Sequence, residues 1–253
     1  MPEGIEAEIY RRAAEATVGR RINSVWVDDR CGDPHEMKHM VGATPVAARR
    51  HGKMVIIDTN RVSIGVHFAM TGRLIVDGDA PIEALAYGAR RDDPAWDRLR
   101  MRFDDGGWMR VNDPRRWSRY WLDPSTAMLG VDLFAESDEL CRALSAVGAR
   151  RGVKAALLDQ RVIAGIGNLI ADEVASTAGV LPASPLGDIG PNRLAAAITA
   201  TVHTLYARGG SHTGVLGPDV RFAGATCPRD GAELCHGTVA GRSTYWCPAH
   251  QAG

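Results

Sequence analysis

The residues Met1-Pro2-Glu3-Gly4 hold a latent nucleophile. Removal of Met1, which a small second residue such as proline permits, would leave Pro2 with a free secondary amine. Such an amine attacks an electrophilic carbon and forms an iminium, by the logic of a Schiff-base lysine. Glu3 is adjacent and Glu6 lies one helical turn on, so two carboxylates stand ready to move protons. The same residues also make an ordinary helix start, with proline in the first turn and acids complementing the dipole.

Three further places carry chemistry. In ALLDQRVIAGIGNLIADE (156–173), Gly165 and Gly167 let backbone N–H groups approach an anion, and a helix opens at Asn168 as its N-cap. A phosphate is the natural ligand there, with Asn168 donating a side-chain hydrogen bond; an ordinary helical corner is the plainer reading. At the C-terminal end, Cys227-Pro-Arg-Asp230 and Cys247-Pro-Ala-His250 stand in a zinc-ribbon frame with Asp230 and His250 in place of two cysteines. Cys235 competes as fourth ligand, His236 more remotely, and a metal-free hairpin with buried thiols is the alternative. Finally, Met70 in HFAMTGRL, and Arg115 and Trp117 in NDPRRWSRY, sit at turns between strands, where apolar and cationic tips can wedge into a base stack. Lys53, in RRHGKMV, is a lone cation entering a strand.

The elements that must position these groups change character along the chain. Residues 3–18 read as a helix with Ile5, Ile9, Tyr10, Ala13 and Ala14 at helical spacing and Gly19 as its stop. Between Ile22 and Leu122 the segments INSVWVD, PVAARR, KMVIIDT, VSIGVHF, RLIVDG, LRMRFDD, WMRVND and YWLD alternate with turn signals, which predicts an antiparallel sandwich or barrel. Beyond Pro124 the pattern is helical: SDELCRALSAV with Ser137 as N-cap, VKAALLDQ, NLIADEVASTAG closing at Gly179, and PNRLAAAITATVHTLYARGG opening at Pro191.

Composition bounds the answer. The chain has 253 residues with 45% hydrophobic and 24% charged, which excludes a mainly disordered protein. No apolar run approaches a membrane span, the N-terminal residues are too polar for a signal peptide, and five cysteines fit a reduced compartment. Thirty basic and thirty acidic residues cancel, which argues mildly against a nucleic-acid binder. Yet Cys141–Arg221 holds eight basic and five acidic residues, a local excess of three, so a basic face remains available. Only three basic residues are lysine, Lys38, Lys53 and Lys154.

Taken together, MPEG, HGK at Lys53, MTGRL, NDPRRW, LLDQRVIAGIGN and GRSTYWCP resemble the motifs of the formamidopyrimidine-DNA glycosylase / endonuclease VIII superfamily, in that family's order from Met1 to Gln251. The resemblance implies an α+β multi-domain fold. Residues 1–124 would form an N-terminal catalytic helix and antiparallel β-sandwich, 125–136 a linker, 137–216 a helix-two-turn-helix domain and 217–253 a zinc β-hairpin. DNA would lie in the cleft between the domains with the damaged nucleotide flipped out. By the same resemblance Pro2 attacks C1′ through a Schiff base followed by β,δ-elimination, Glu3 helps open the sugar and Glu6 supports it. Lys53, Asn168 and Arg242 hold phosphates, with Lys154 as a further DNA contact. Met70, Arg115 and Trp117 fill the gap left by the flipped base. Zn2+ is structural, on Cys227, Asp230, Cys247 and His250.

The implied protein is a monomeric, cytoplasmic, nucleoid-associated bacterial DNA glycosylase and AP lyase acting on damaged double-stranded DNA. The chain departs from the family pattern at Ile5, where a second proline is usual, and at Trp117, where one branch has phenylalanine. Sixteen residues separate Gly210 from Cys227, too few for the long loop that closes over 8-oxoguanine, so oxidised bases or abasic sites are expected and efficient 8-oxoguanine excision is not. Two other readings are a catalytically weak damaged-DNA-binding protein of the same fold and a zinc-ribbon protein that binds another protein.

Overall fold

The computed structural model describes residues 2–83, 85, 88 and 91–251. They divide into two compact units, one of Pro2 with residues 6–126 and one of residues 3–5 with 127 onward. Among the described residues no helix is long and apolar enough to cross a membrane.

In the first unit, α1 (Gly4–Ala14), which belongs to it from Glu6 on, precedes β1 (Ile22–Val27), α2 (Pro34–Met37), β2 (Pro45–His51), β3 (Met54–Thr59), β4 (Ser63–His67), β5 (Arg73–Val76), β6 (Asp97–Phe103), β7 (Trp108–Asn112) and β8 (Arg119–Leu122). All eight expected strands form. They pair antiparallel into two four-stranded sheets, ordered β1-β6-β7-β5 and β2-β3-β4-β8. The pleat explains the sequence alternation. On β6, Leu99, Met101 and Phe103 are buried while Arg100 and Arg102 are exposed. One apolar core joins both sheets to α1, whose Ala7, Tyr10 and Ala14 recur on the helix's inner face. Burial pushes the Tyr10 hydroxyl far above its ordinary pKa, with the Glu6 carboxylate adding to the effect.

The second unit contains β9 (Val131–Asp132), α3 (Ser137–Ser145), α4 (Val153–Leu158), β10 (Ile163–Ala164), α5 (Asn168–Ala178), α6 (Leu186–Ile189), α7 (Pro191–Ala207), β11 (Cys235–Val239) and β12 (Arg242–Trp246). β9 pairs parallel with β10, and β11 with β12 as an antiparallel hairpin. α7 packs on both α3 and α5. α5 buries Leu169, Ile170, Ala171, Val174, Ala175 and Ala178, a nearly continuous apolar surface. Its C-terminus is Gly179 in the left-handed conformation, φ 66°, where a Cβ is disfavoured.

Two cap assignments differ from expectation. Ser137 is the first residue of α3, preceded by Glu136, and no side chain caps it. Asn168 is likewise inside α5, and Gly167 holds the cap position. The reason at Gly167 lies in a residue far away in sequence.

Candidate active site

Glu3 is the missing cap of α5. Its carboxylate accepts Gly167 N–H at 2.9 Å, Leu169 N–H at 2.9 Å and Ile170 N–H at 3.1 Å. The second and third amides of a helix are those an N-cap side chain ordinarily satisfies, so a distant carboxylate replaces a local one. Glu3 is 2% exposed, and the helix N-terminus stabilises negative charge there. A Cβ at Gly167 would stand 2.3 Å from the Glu3 carboxyl carbon, so this glycine makes room for the carboxylate. Gly165, at φ 107°, accepts Gly4 N–H through its carbonyl at 2.9 Å. The glycines expected to cradle a phosphate therefore seat the chain's own N-terminal segment. The backbone N–H groups at the α5 N-terminus are therefore taken by an internal anion, separately from the Asn168 side chain.

Pro2 is buried and covalently adjacent to this carboxylate. Met1, whose removal the amine chemistry requires, lies outside the described residues. Glu6, 3% exposed, sits in the first turn of α1 within the first unit.

Around α5 the second unit gathers three of the expected DNA-binding residues. Asn168 Nδ2 donates to the Ser243 carbonyl at 3.0 Å, while its Oδ1 is buried with no hydrogen-bond partner. Arg242, the preceding residue on β12, is exposed. Lys154 differs from expectation. It is fully buried, and its ammonium donates to Asp172 Oδ1 at 2.6 Å and Thr244 Oγ1 at 2.6 Å. Burial pushes its pKa down and the Asp172 charge opposes this. Asp172 also pairs with Arg221. Lys154 thus ties α4, α5 and the hairpin together and is not on a surface that a phosphate reaches. The sequence did not single out Asp172. Its position beside Glu173 in an otherwise uncharged helix was the only available signal.

Glu173, 4% exposed, accepts the Leu216 N–H and pins the short segment after α7. Burial raises its pKa above the ordinary carboxylate range.

The hairpin end brings Cys227, Asp230, Cys247 and His250 together, with one ligand atom from each within 4.8 Å of the others. Cys235 is the first residue of β11 and outside this group, and His236 stacks on Tyr245 with centroids 4.5 Å apart. Two thiols, an imidazole and a carboxylate suit a borderline-soft ion of tetrahedral preference, so the donor set fits zinc. Ser176 Oγ lies 3.2 Å from His250 Nε2, which turns Nδ1 toward Asp230, 3.0 Å away. That outer contact orients the ring as second-sphere partners of metal-bound histidines do.

In the first unit the three expected wedge residues meet. Arg115 Nη1 is 3.9 Å from Met70 Sδ, and its guanidinium lies 5.3 Å from the Trp117 ring centroid. Trp117 is 50% exposed, a large aromatic surface left open to water. Lys53 stands on the turn between β2 and β3 rather than within a strand. Its charge reaches His67 on β4. Burial, then Lys53, then Arg119 lower the His67 pKa below its ordinary value.

A two-sheet unit, a helix-two-turn-helix unit and a Cys/His-bearing β-hairpin, with a carboxylate beside an N-terminal proline, define the architecture of a DNA-repair glycosylase class. Residues 1–120 match the family model of the formamidopyrimidine-DNA glycosylase N-terminal domain, and residues 129–211 that of its H2TH domain. A formamidopyrimidine-DNA glycosylase of Paracoccus denitrificans is 32% identical, covering 99% of this chain and 100% of its own. That of Gloeobacter violaceus is also 32% identical, covering 99% and 98%. The fold matches the Lactococcus lactis Fpg complexed with DNA containing N7-benzyl-Fapy-dG, with TM-score 0.79, 24% identity and 100% of both chains covered. A complex of that protein with abasic-site DNA gives TM-score 0.77 at 24% identity, with 99% and 100% covered. The chain belongs to the formamidopyrimidine-DNA glycosylase family, a family of DNA glycosylases with AP lyase activity.

Proposed function

We propose that this protein is a bifunctional DNA glycosylase and AP lyase of base-excision repair, acting on oxidised bases or abasic sites in double-stranded DNA. The observation that carries the reading is the Glu3 carboxylate, fixed by three backbone N–H groups immediately beside Pro2. After Met1 removal the Pro2 nitrogen attacks C1′ of the damaged nucleotide. The bond from C1′ to the base breaks, and the base leaves with the bonding pair. Glu3 manages the proton at the sugar ring oxygen as the ring opens to the iminium, and Glu6 supports it. Loss of a C2′ proton expels the 3′ phosphate, and a second elimination expels the 5′ phosphate, so both strand bonds break without water attacking phosphorus.

Residues 1–124 supply Pro2, Lys53 as a phosphate contact, and Met70, Arg115 and Trp117 as the wedge. Residues 137–216, reached through 125–136, supply Asn168. Residues 217–253 supply Arg242 and a structural Zn2+ on Cys227, Asp230, Cys247 and His250. Lys154 acts through Asp172 and Thr244 on the placement of the hairpin. The short segment pinned by Glu173 supports substrates other than 8-oxoguanine.

The test is borohydride trapping on a duplex with one abasic site, with mass spectrometry of the adduct. An adduct on Pro2 is expected. A protein lacking Met1 that binds the duplex yet forms no adduct is instead the catalytically weak binding protein.

A further inference from the structure

The wedge is built from two separate turns, and one buried carboxylate joins them. Asp113 is 0% exposed. Its Oδ1 accepts the Thr71 hydroxyl, from the turn that carries Met70, and the Arg115 N–H at 3.1 Å. Its Oδ2 accepts the Trp117 N–H and the Ser118 N–H, both at 2.8 Å. Every donor is neutral, so the carboxylate is held by aimed dipoles rather than by a cation. Its own carbonyl accepts Arg98 Nε at 2.9 Å, which ties this backbone to β6.

Both turns are strained. Ala69, beside Met70, has φ 50°, and Arg116, between Arg115 and Trp117, has φ 57°. Left-handed conformations of non-glycine residues cost energy and persist only where the surroundings over-determine them. The four bonds to the Asp113 carboxylate contribute to that determination by holding the neighbours of both residues, alongside His67 Nδ1 on the Ala69 N–H and Asp28 on the Arg116 guanidinium. The result is an exposed tryptophan and an exposed arginine on backbone that is locked before any DNA arrives. A wedge that is already ordered loses less entropy on insertion than one that must order in the complex.

We infer that Asp113 is the positioning residue of the wedge, clamping the Met70 turn to the Arg115–Trp117 loop so that the three side chains enter the duplex as one preorganised body. This rests on the proposed function, because a wedge matters only to an enzyme that extrudes a nucleotide from paired DNA. Asp113 touches no substrate itself. Its effect belongs to duplex substrates, where a gap must be filled, and not to an abasic site in a single strand, where there is none.

The experiment compares borohydride trapping on the same abasic oligonucleotide, single-stranded and in duplex, for wild type, Asp113→Asn, Thr71→Val and Thr71→Ser, with thermal melting of each. Asp113→Asn turns one acceptor into a donor facing N–H groups. Thr71→Val removes only the link between the turns, so it carries the test if Asp113→Asn does not fold. Thr71→Val is expected to slow trapping on the duplex about tenfold, the effect of losing one buried charge-assisted hydrogen bond, and to leave the single strand unchanged. Thr71→Ser, which keeps the hydroxyl, is expected to restore the duplex rate. Equal rates for Thr71→Val and wild type on the duplex, or equal losses on both substrates, would overturn the clamp. Absence of any adduct from wild type on either substrate would sink the proposed function instead, and the clamp with it.

Discussion

Lys53 and Lys154 are the same residue type in opposite surroundings. Lys154 has exchanged water for Asp172 and Thr244, and removing Asp172 would leave its buried charge uncompensated, whereas Asp172 keeps Arg221 as a second partner. Lys53 stands at a turn and acts on His67 through its charge. His67 Nδ1 accepts the Ala69 N–H at 3.3 Å, which requires that nitrogen to be unprotonated. Burial, Lys53 and Arg119 all favour the neutral ring, so the folded pKa lies below the unfolded value of 6.5. The native state then binds fewer protons than the unfolded chain. Its contribution to stability is complete above pH 6.5 and is lost as pH falls through the depressed folded value. Melting temperature should therefore fall as pH drops below about 6.5, and His67→Gln should flatten that limb. An unchanged limb in the variant would exclude His67 as its source.

At the scale of elements, the Gly167 turn and the N-terminus of α5 hold Glu3. Gly167→Ala places a methyl group 2.3 Å from the Glu3 carboxyl carbon, so the Glu3 side chain must shift from its seat on the α5 amides. The variant should lose at least about tenfold in abasic-site trapping, since a displaced proton-transfer group forfeits much of the ~10²-fold or more that such groups supply. Trapping at the wild-type rate would mean that Glu3 is not held by this turn during reaction. The hairpin makes a separate prediction. Metal analysis should give one zinc per chain, and a chelator should lower the melting temperature, because ligand binding to the folded state alone stabilises it. Cys235→Ser should keep the metal and Asp230→Ala should lose it. The reverse pattern would reassign the fourth ligand.

For the whole molecule, thirty basic and thirty acidic residues leave no net attraction to DNA, so affinity must come from local charge. Binding to a duplex with a tetrahydrofuran abasic analogue should weaken linearly in log salt. Arg242→Ala should reduce the slope by roughly 0.9, the share of one neutralised phosphate. A slope that does not change would remove Arg242 from the interface. How much was legible in advance follows the same division between local and distant. Strand positions from Ile22 to Leu122, the helices ending at Gly179 and Gly209, and the grouping of Cys227 with Cys247 were readable, because pleat alternation, helical period and ligand spacing are properties of neighbouring residues. The family motifs, among them MPEG and NDPRRW, were readable for the same reason. Only the folded chain decided that Glu3 rather than a phosphate caps α5, that Lys154 is buried on Asp172, that Asp230 and not Cys235 joins the cysteines, and that Asp113 bridges two turns. Each of these is a polar group satisfied by a partner distant in sequence, and the need to satisfy it arises only when folding takes it out of water.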